Sequence, residues 1–183
     1  KKKKNEGGQS GTWLLDPNDF TIATSGGDIT GATLSTNLAG GNVAISSNDG
    51  ATSGNGDIFV NDAVTWSANT TLTLNAVRNI EINDGIAASG AGAGLVLTYG
   101  GGYSFADGGT VTLSGAGAGL SMGGNTYTLV HNANDLQAIT GSGYYALADN
   151  IDASGTASWD SGAGFAPING FSGVLAGLNH AIA

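Results

Sequence analysis

The chain has 183 residues, of which 33 are Gly, 2 are Pro, none is Cys and only 10% are charged. Its formal net charge is −9, and because Lys1–Lys4 supply four of the five basic residues, Arg78 is the sole positive side chain among fourteen acidic ones thereafter. Such a surface repels phosphate backbones and excludes nucleic acid as a partner, while the lack of Cys excludes a disulfide scaffold and thiolate metal sites.

Gly at this level is common in low-complexity chains, but 40% of the residues are hydrophobic and fall in short, regularly spaced groups, which favours a folded chain. Lys1–Lys4 lead into Asn5-Glu6-Gly7-Gly8 rather than an apolar run, so no signal peptide is read there. Residues 1–10 are expected to be a disordered or appended basic terminus, and 11–183 a β-helix fragment of a longer protein. No apolar run approaches the length of a membrane-spanning segment, so the chain is not expected to span a membrane.

Residues 13–20 read as a bent lead-in segment. Thr21-Ile22-Ala23, Ala32-Thr33-Leu34 and Val43-Ala44-Ile45 read as strands with irregular turns between them. A clear repeat then begins. Its first unit carries Ile58-Phe59-Val60, Val64-Thr65-Trp66 and Leu72-Thr73-Leu74; its second carries Ile80-Glu81-Ile82, Ile86-Ala87-Ala88 and Leu95-Val96-Leu97. The third carries Tyr103-Ser104-Phe105, Thr110-Val111-Thr112-Leu113 and Leu120-Ser121-Met122, and Tyr127-Thr128-Leu129 opens a fourth.

First strands therefore start 22, 23 and 24 residues apart, with three short strands per unit. This predicts an all-β fold, a right-handed parallel β-helix (solenoid) in which each coil covers the apolar face of the next. Alternate residues point inward. Ile58, Ile80, Tyr103 and Tyr127 should share one inner column, and Leu72, Leu95 and Leu120 another. Gly90-Ala91-Gly92-Ala93-Gly94 and Gly115-Ala116-Gly117-Ala118-Gly119 fall at the same turn, where missing Cβ atoms permit close stacking. Residues 134–139 are the one expected helix, capped by Asn132 or Asn134.

Asp62, Asp84 and Asp107 recur at the first turn of successive coils and form a candidate acidic ladder. Clustered carboxylates suit Ca²⁺ or glycoside cleavage; the plainer reading has each Asp closing its own turn, and it is preferred because only Arg78 is on hand to serve a lyase. Gly54-Asn55-Gly56-Asp57 has the look of a calcium-binding turn but does not repeat. His131 and His180 lack metal-ligand spacing and read as turn or packing residues. Trp66 alternates inward with Val64, whereas Tyr99, Tyr144 and Trp159 are expected in Gly-rich loops and are the candidate ligand-binding residues. No catalytic residue, cofactor or resident metal is expected.

The segment Tyr127-Thr128-Leu129-Val130, with Asn134-Asp135-Leu136-Gln137-Ala138-Ile139 and residues 145–154, resembles the repeats of filamentous-haemagglutinin-type adhesins. Phe171-Ser172-Gly173-Val174-Leu175-Ala176-Gly177-Leu178-Asn179-His180-Ala181-Ile182 is similar to the GLUG repeat, F-x-G-x-L-x-G-x-x-H-x-I. The likeness spans residues 57–182, and its motifs are structural. The resemblance implies a Gram-negative two-partner-secreted exoprotein, secreted or held at the cell surface. Its partners would be an outer-membrane transporter during export and a host or bacterial cell-surface glycan or protein. The function expected is a non-enzymatic β-helical rod that supports adhesion. The alternatives are a polysaccharide lyase or hydrolase on the same scaffold, and a pure stalk of a contact-dependent inhibition or haem-acquisition exoprotein.

Overall fold

The computed structural model describes residues 13–15, 18–47, 54–106 and 108–183, with no side chains described at 13–15. The Lys1–Lys4 terminus and Asp107 lie outside them. The described chain is mostly β-sheet with few helices, and parallel pairing dominates sheets that do not close on themselves. The strands in chain order are β1 (Trp13–Leu15), β2 (Phe20–Ile22), β3 (Val43–Ser46), β4 (Ile58–Val60), β5 (Val64–Trp66), β6 (Thr71–Ala76), β7 (Asn79–Ile82) and β8 (Ile86–Ala88). They continue with β9 (Gly94–Tyr99), β10 (Gly102–Phe105), β11 (Val111–Leu113), β12 (Gly119–Met122), β13 (Asn125–Val130), β14 (Tyr144–Leu147) and β15 (Val174–Ala176).

The repeat visits three sheets in turn. One sheet has the order β10-β7-β4-β2, a second β11-β8-β5, and the third begins β1-β3-β6-β9-β12. Register follows the sequence repeat: Ile58 pairs with Ile80 and Ile80 with Tyr103, while Leu72 pairs with Leu95 and Leu95 with Leu120. Alternate residues of β2 to β8, β11 and β12 are buried, and Ile58, Ile80, Ile86, Leu72 and Leu95 are fully inaccessible in one continuous core. No rung buries its own inner side chains, so each relies on its neighbours. Trp66 points into this core as expected, and its indole N–H donates to the Thr70 carbonyl at 3.0 Å. The Gly-Ala turns stack as expected too: a Cβ on Gly115 would collide with the Gly90 carbonyl.

Two expectations fail. Ala32-Thr33-Leu34 is not a strand but part of helix α1 (Gly31–Gly40). The Thr30 hydroxyl caps it by accepting from the Thr33 N–H at 3.1 Å, and Gly31, Leu34 and Leu38 form its buried stripe. Helical spacing of the two leucines outweighs the β-preference of Thr33 and Thr36, because tertiary burial overrides propensity. Helix α1 packs beside β5, where the Thr65 N–H donates to the Ser35 hydroxyl at 2.9 Å, and so covers that edge of the three-stranded sheet.

The second failure concerns the fourth coil. Tyr127-Thr128-Leu129 does not stack on β10; β13 folds back antiparallel on β12, with Leu120 opposite Tyr127. The two-residue loop Gly123-Gly124 has φ of 57° and 81°, which only Gly adopts freely and which matches the twist of a tight hairpin. Tyr127 and Leu129 still turn toward the core, half-buried, but from the other sheet. From this point β14 and β15 run parallel to β13, and a second apolar cluster forms around Val130, Leu136, Leu147 and Ile151. The one expected helix is present as α2, over Ala133–Gln137 and not 134–139, with the Asn132 side chain accepting from the N–H groups of Asn134 and Asp135.

Candidate functional site

Of the candidate acidic ladder, Asp62 and Asp84 lie among the described residues and Asp107 outside them, and each of the two described carboxylates binds a backbone N–H group. The Asp62 carboxylate accepts the Gly31 N–H at 2.7 Å, at the first residue of α1, where the positive end of the helix favours an anion. It therefore closes the helix start and not its own turn, which corrects the plainer sequence reading. Asp84 accepts the Gly85 N–H at 2.7 Å, a local turn contact. No group of three or more His, Asp or Glu able to hold a metal exists among the described residues.

The Gly54–Asp57 turn has the wrong polarity for a cation. Its Asn55, Gly56 and Asp57 N–H groups all point at one Asp19 carboxylate oxygen, at 2.8, 2.8 and 3.0 Å. A calcium site would need oxygen atoms pointing inward. Asp57 itself is 1% exposed and engaged by Arg78, whose Nε donates to Oδ1 at 2.8 Å while Nη2 pairs with Oδ2. The Asn79 N–H adds a third donor at 3.0 Å. The Arg78 hydrogen bonds hold the Asp57 carboxyl below its ordinary range against the opposing effect of burial. The lone cation of the repeat is thus committed to a two-pronged ion pair.

Aromatic side chains do come together. Tyr99 is not in a loop as expected; it ends β9, continuing the inward side of Leu95 and Leu97. Its ring centroid lies 5.6 Å from Tyr103, and Tyr103 meets Phe105 edge-on at 5.8 Å. Tyr127 lies 5.3 Å from Tyr144, which opens β14 and is 39% exposed. Burial raises the hydroxyl pKa of Tyr99, Tyr103 and Tyr127, and neighbouring tyrosines push in the same direction, so these groups stay protonated donors. Two of the three candidate residues therefore each meet an aromatic partner, Tyr99 beside Tyr103 and Tyr144 beside Tyr127. Tyr103, Phe105 and Tyr127 were missed as surface groups because their parity marks them as inward. The signal that exposes them is position: Tyr103 and Phe105 belong to the last strand of their sheet, which has no further rung above it among the described residues.

Trp159 stands apart. It stacks on Phe165 at 6.0 Å and 22° and packs against the second cluster. The backbone around it is held by Gln137, whose amide donates to the Ala166 carbonyl at 3.0 Å and accepts the Ala166 N–H at 2.9 Å. His180 is a packing residue, as expected: its Nε2 meets the Val111 carbonyl at 2.8 Å, while the Asn179 amide donates to Gly109 at 2.6 Å. The GLUG-like stretch thereby ties itself to the edge of the repeat. Comparison with protein-family models, curated proteins and solved structures finds no match.

Proposed function

We propose that this chain is a non-enzymatic segment of right-handed parallel β-helix from a secreted or surface-held filamentous adhesin of the two-partner-secreted kind. The observation that carries the reading is the in-register stacking of Ile58, Ile80 and Tyr103 at the interval of the sequence repeat. Chain passages that return to the same sheet in parallel are right-handed in nearly all proteins, since a right-twisted strand packs back only that way. Such a scaffold lengthens by adding rungs and offers its surface along its length, which suits a rod between two cell surfaces.

One further feature supports a binding or spacing role over catalysis. The acids nominated for chemistry, Asp62 and Asp84, serve backbone N–H groups, and Arg78 serves Asp57. An outer-membrane transporter would export the parent, with a cell-surface glycan or protein as the eventual partner.

The test has two arms. Beads coated with the chain should retain epithelial or bacterial cells at physiological salt above uncoated beads; no retention across a broad panel would sink the adhesive reading. Incubation with polygalacturonate and alginate should yield no new reducing ends and no unsaturated products, and cleavage of either would overturn the non-enzymatic one.

A further inference from the structure

The sheet β2-β4-β7-β10 stops one level short of its neighbours. Above β12 the chain continues as β13, and the three-stranded sheet is continued by backbone carbonyls: Leu178 accepts from Val111 and Ala148 accepts from Leu113, at 3.3 and 2.9 Å. Above β10, among the described residues, no strand follows. β10 is therefore the edge strand of its sheet.

Its floor has strand chemistry. The Ala106 N–H donates to the Ile82 carbonyl at 3.1 Å. N–H directions alternate along a strand, so Ser104 also turns to β7 and the N–H and C=O groups of Tyr103 and Phe105 face the open edge. Ile80 and Ile82, their partners one rung below, are fully buried, whereas Tyr103 and Phe105 are only half-buried. Gly102-Tyr103-Ser104-Phe105 carries no Lys, Pro or inward charge of the kind that blunts an edge against pairing. Tyr99 and Tyr127 pack against the same end of the core.

We infer that the β10 edge is a docking site for an extended peptide of a partner protein, which adds as the next strand. Two apolar side chains at alternate positions would cover Tyr103 and Phe105, as Ile80 and Ile82 do from below. The intervening side chain would be basic. The rung beneath presents Glu81 outward beside Ser104, and the chain as a whole is strongly acidic. That charge disfavours a second copy of this chain as the occupant. The site stands independently of the adhesin reading.

The probe is an end-capped peptide copying residues 78–86 with Glu81→Lys, titrated into the full chain while residue-resolved amide exchange is followed. Saturating peptide should slow exchange at Tyr103 and Phe105 at least tenfold and leave Ser104, already bonded to β7, unchanged. A scrambled peptide lacking the alternation should bind at least tenfold more weakly. Phe105→Pro removes an edge N–H and should weaken binding at least tenfold beyond Phe105→Ala, which removes only the ring. No saturable binding up to millimolar peptide would overturn the inference. So would binding without protection at those two amides, or slow exchange there in the free chain. Protection by a neutral oligosaccharide such as cellohexaose, but not by peptide, would reassign the edge to glycan.

Discussion

Asp57 shows how few charges this chain can place inside itself and on what terms. A carboxylate at 1% exposure is tolerable because Arg78 and the Asn79 N–H supply three donors, leaving little of its charge unanswered. Arg78 is half-exposed, so its own removal costs the pair and not a buried cation. Arg78→Met should lower stability by about 1–3 kcal/mol near neutral pH, since it strands a buried carboxylate. The folded pKa of Asp57 is depressed, so the contribution is fully present above the unfolded carboxyl value of about 3.9 and fades as pH falls through the lower folded value. Urea melts of both proteins should therefore differ at pH 7 and converge toward pH 2; an equal gap at both would show that Arg78 acts through packing alone.

Elements in this fold are defined by what lies directly beneath them. Within a single Gly-Ala turn, Gly115 sits against the Gly90 carbonyl, while a Cβ on Gly119 would meet nothing within 4 Å. Gly115→Ala should cost about 1–3 kcal/mol through forced displacement of the stacked turn, whereas Gly119→Ala should change stability by less than about 0.5 kcal/mol. Thermal unfolding of the pair gives the comparison directly, and equal effects would break the link between these glycines and stacking. Helix α1 obeys the same logic in another form: Asp62 and Ser35 fasten it to the rung of β5, so a helix occupies a place that a strand takes in later rungs.

At the scale of the whole molecule, the reversal at Gly123-Gly124 divides the core. The stacked rungs share one apolar cluster, which Ala146, Ala176 and Leu178 also join, while Val130, Leu136, Ile139, Leu147 and Ile151 build a second around α2. The two are joined by the β12-β13 hairpin and by the Asn179 and His180 contacts to Gly109 and Val111. Leu136→Ala, which removes a side chain of the second cluster, should cost about 2–5 kcal/mol locally. Amide exchange should rise tenfold or more across residues 130–151 and remain slow at Ile80, Leu72 and Leu95, whose neighbours are untouched. Uniform loss of protection would mean that the clusters unfold as one.

The amino-acid sequence by itself determined the rungs from 58 to 122: strand positions, inward parity, the inner columns through Ile80 and Leu95, and the stacked Gly-Ala turns all follow from a period that burial imposes on every rung. It also showed the α2 cap, because Asn132 acts on N–H groups only two and three residues away. Three things needed the tertiary structure. Leu34 and Leu38 became helical because their stripe found a surface at β5, and the hairpin at Gly123-Gly124 broke a period that sequence spacing carried on to Tyr127. The aromatic contacts were the third, since Tyr99 and Tyr103 lie on different strands, as do Tyr127 and Tyr144, and sequence spacing alone does not bring them together. Local patterns fix what a segment prefers to bury; whether a neighbour arrives to cover it is decided elsewhere in the chain.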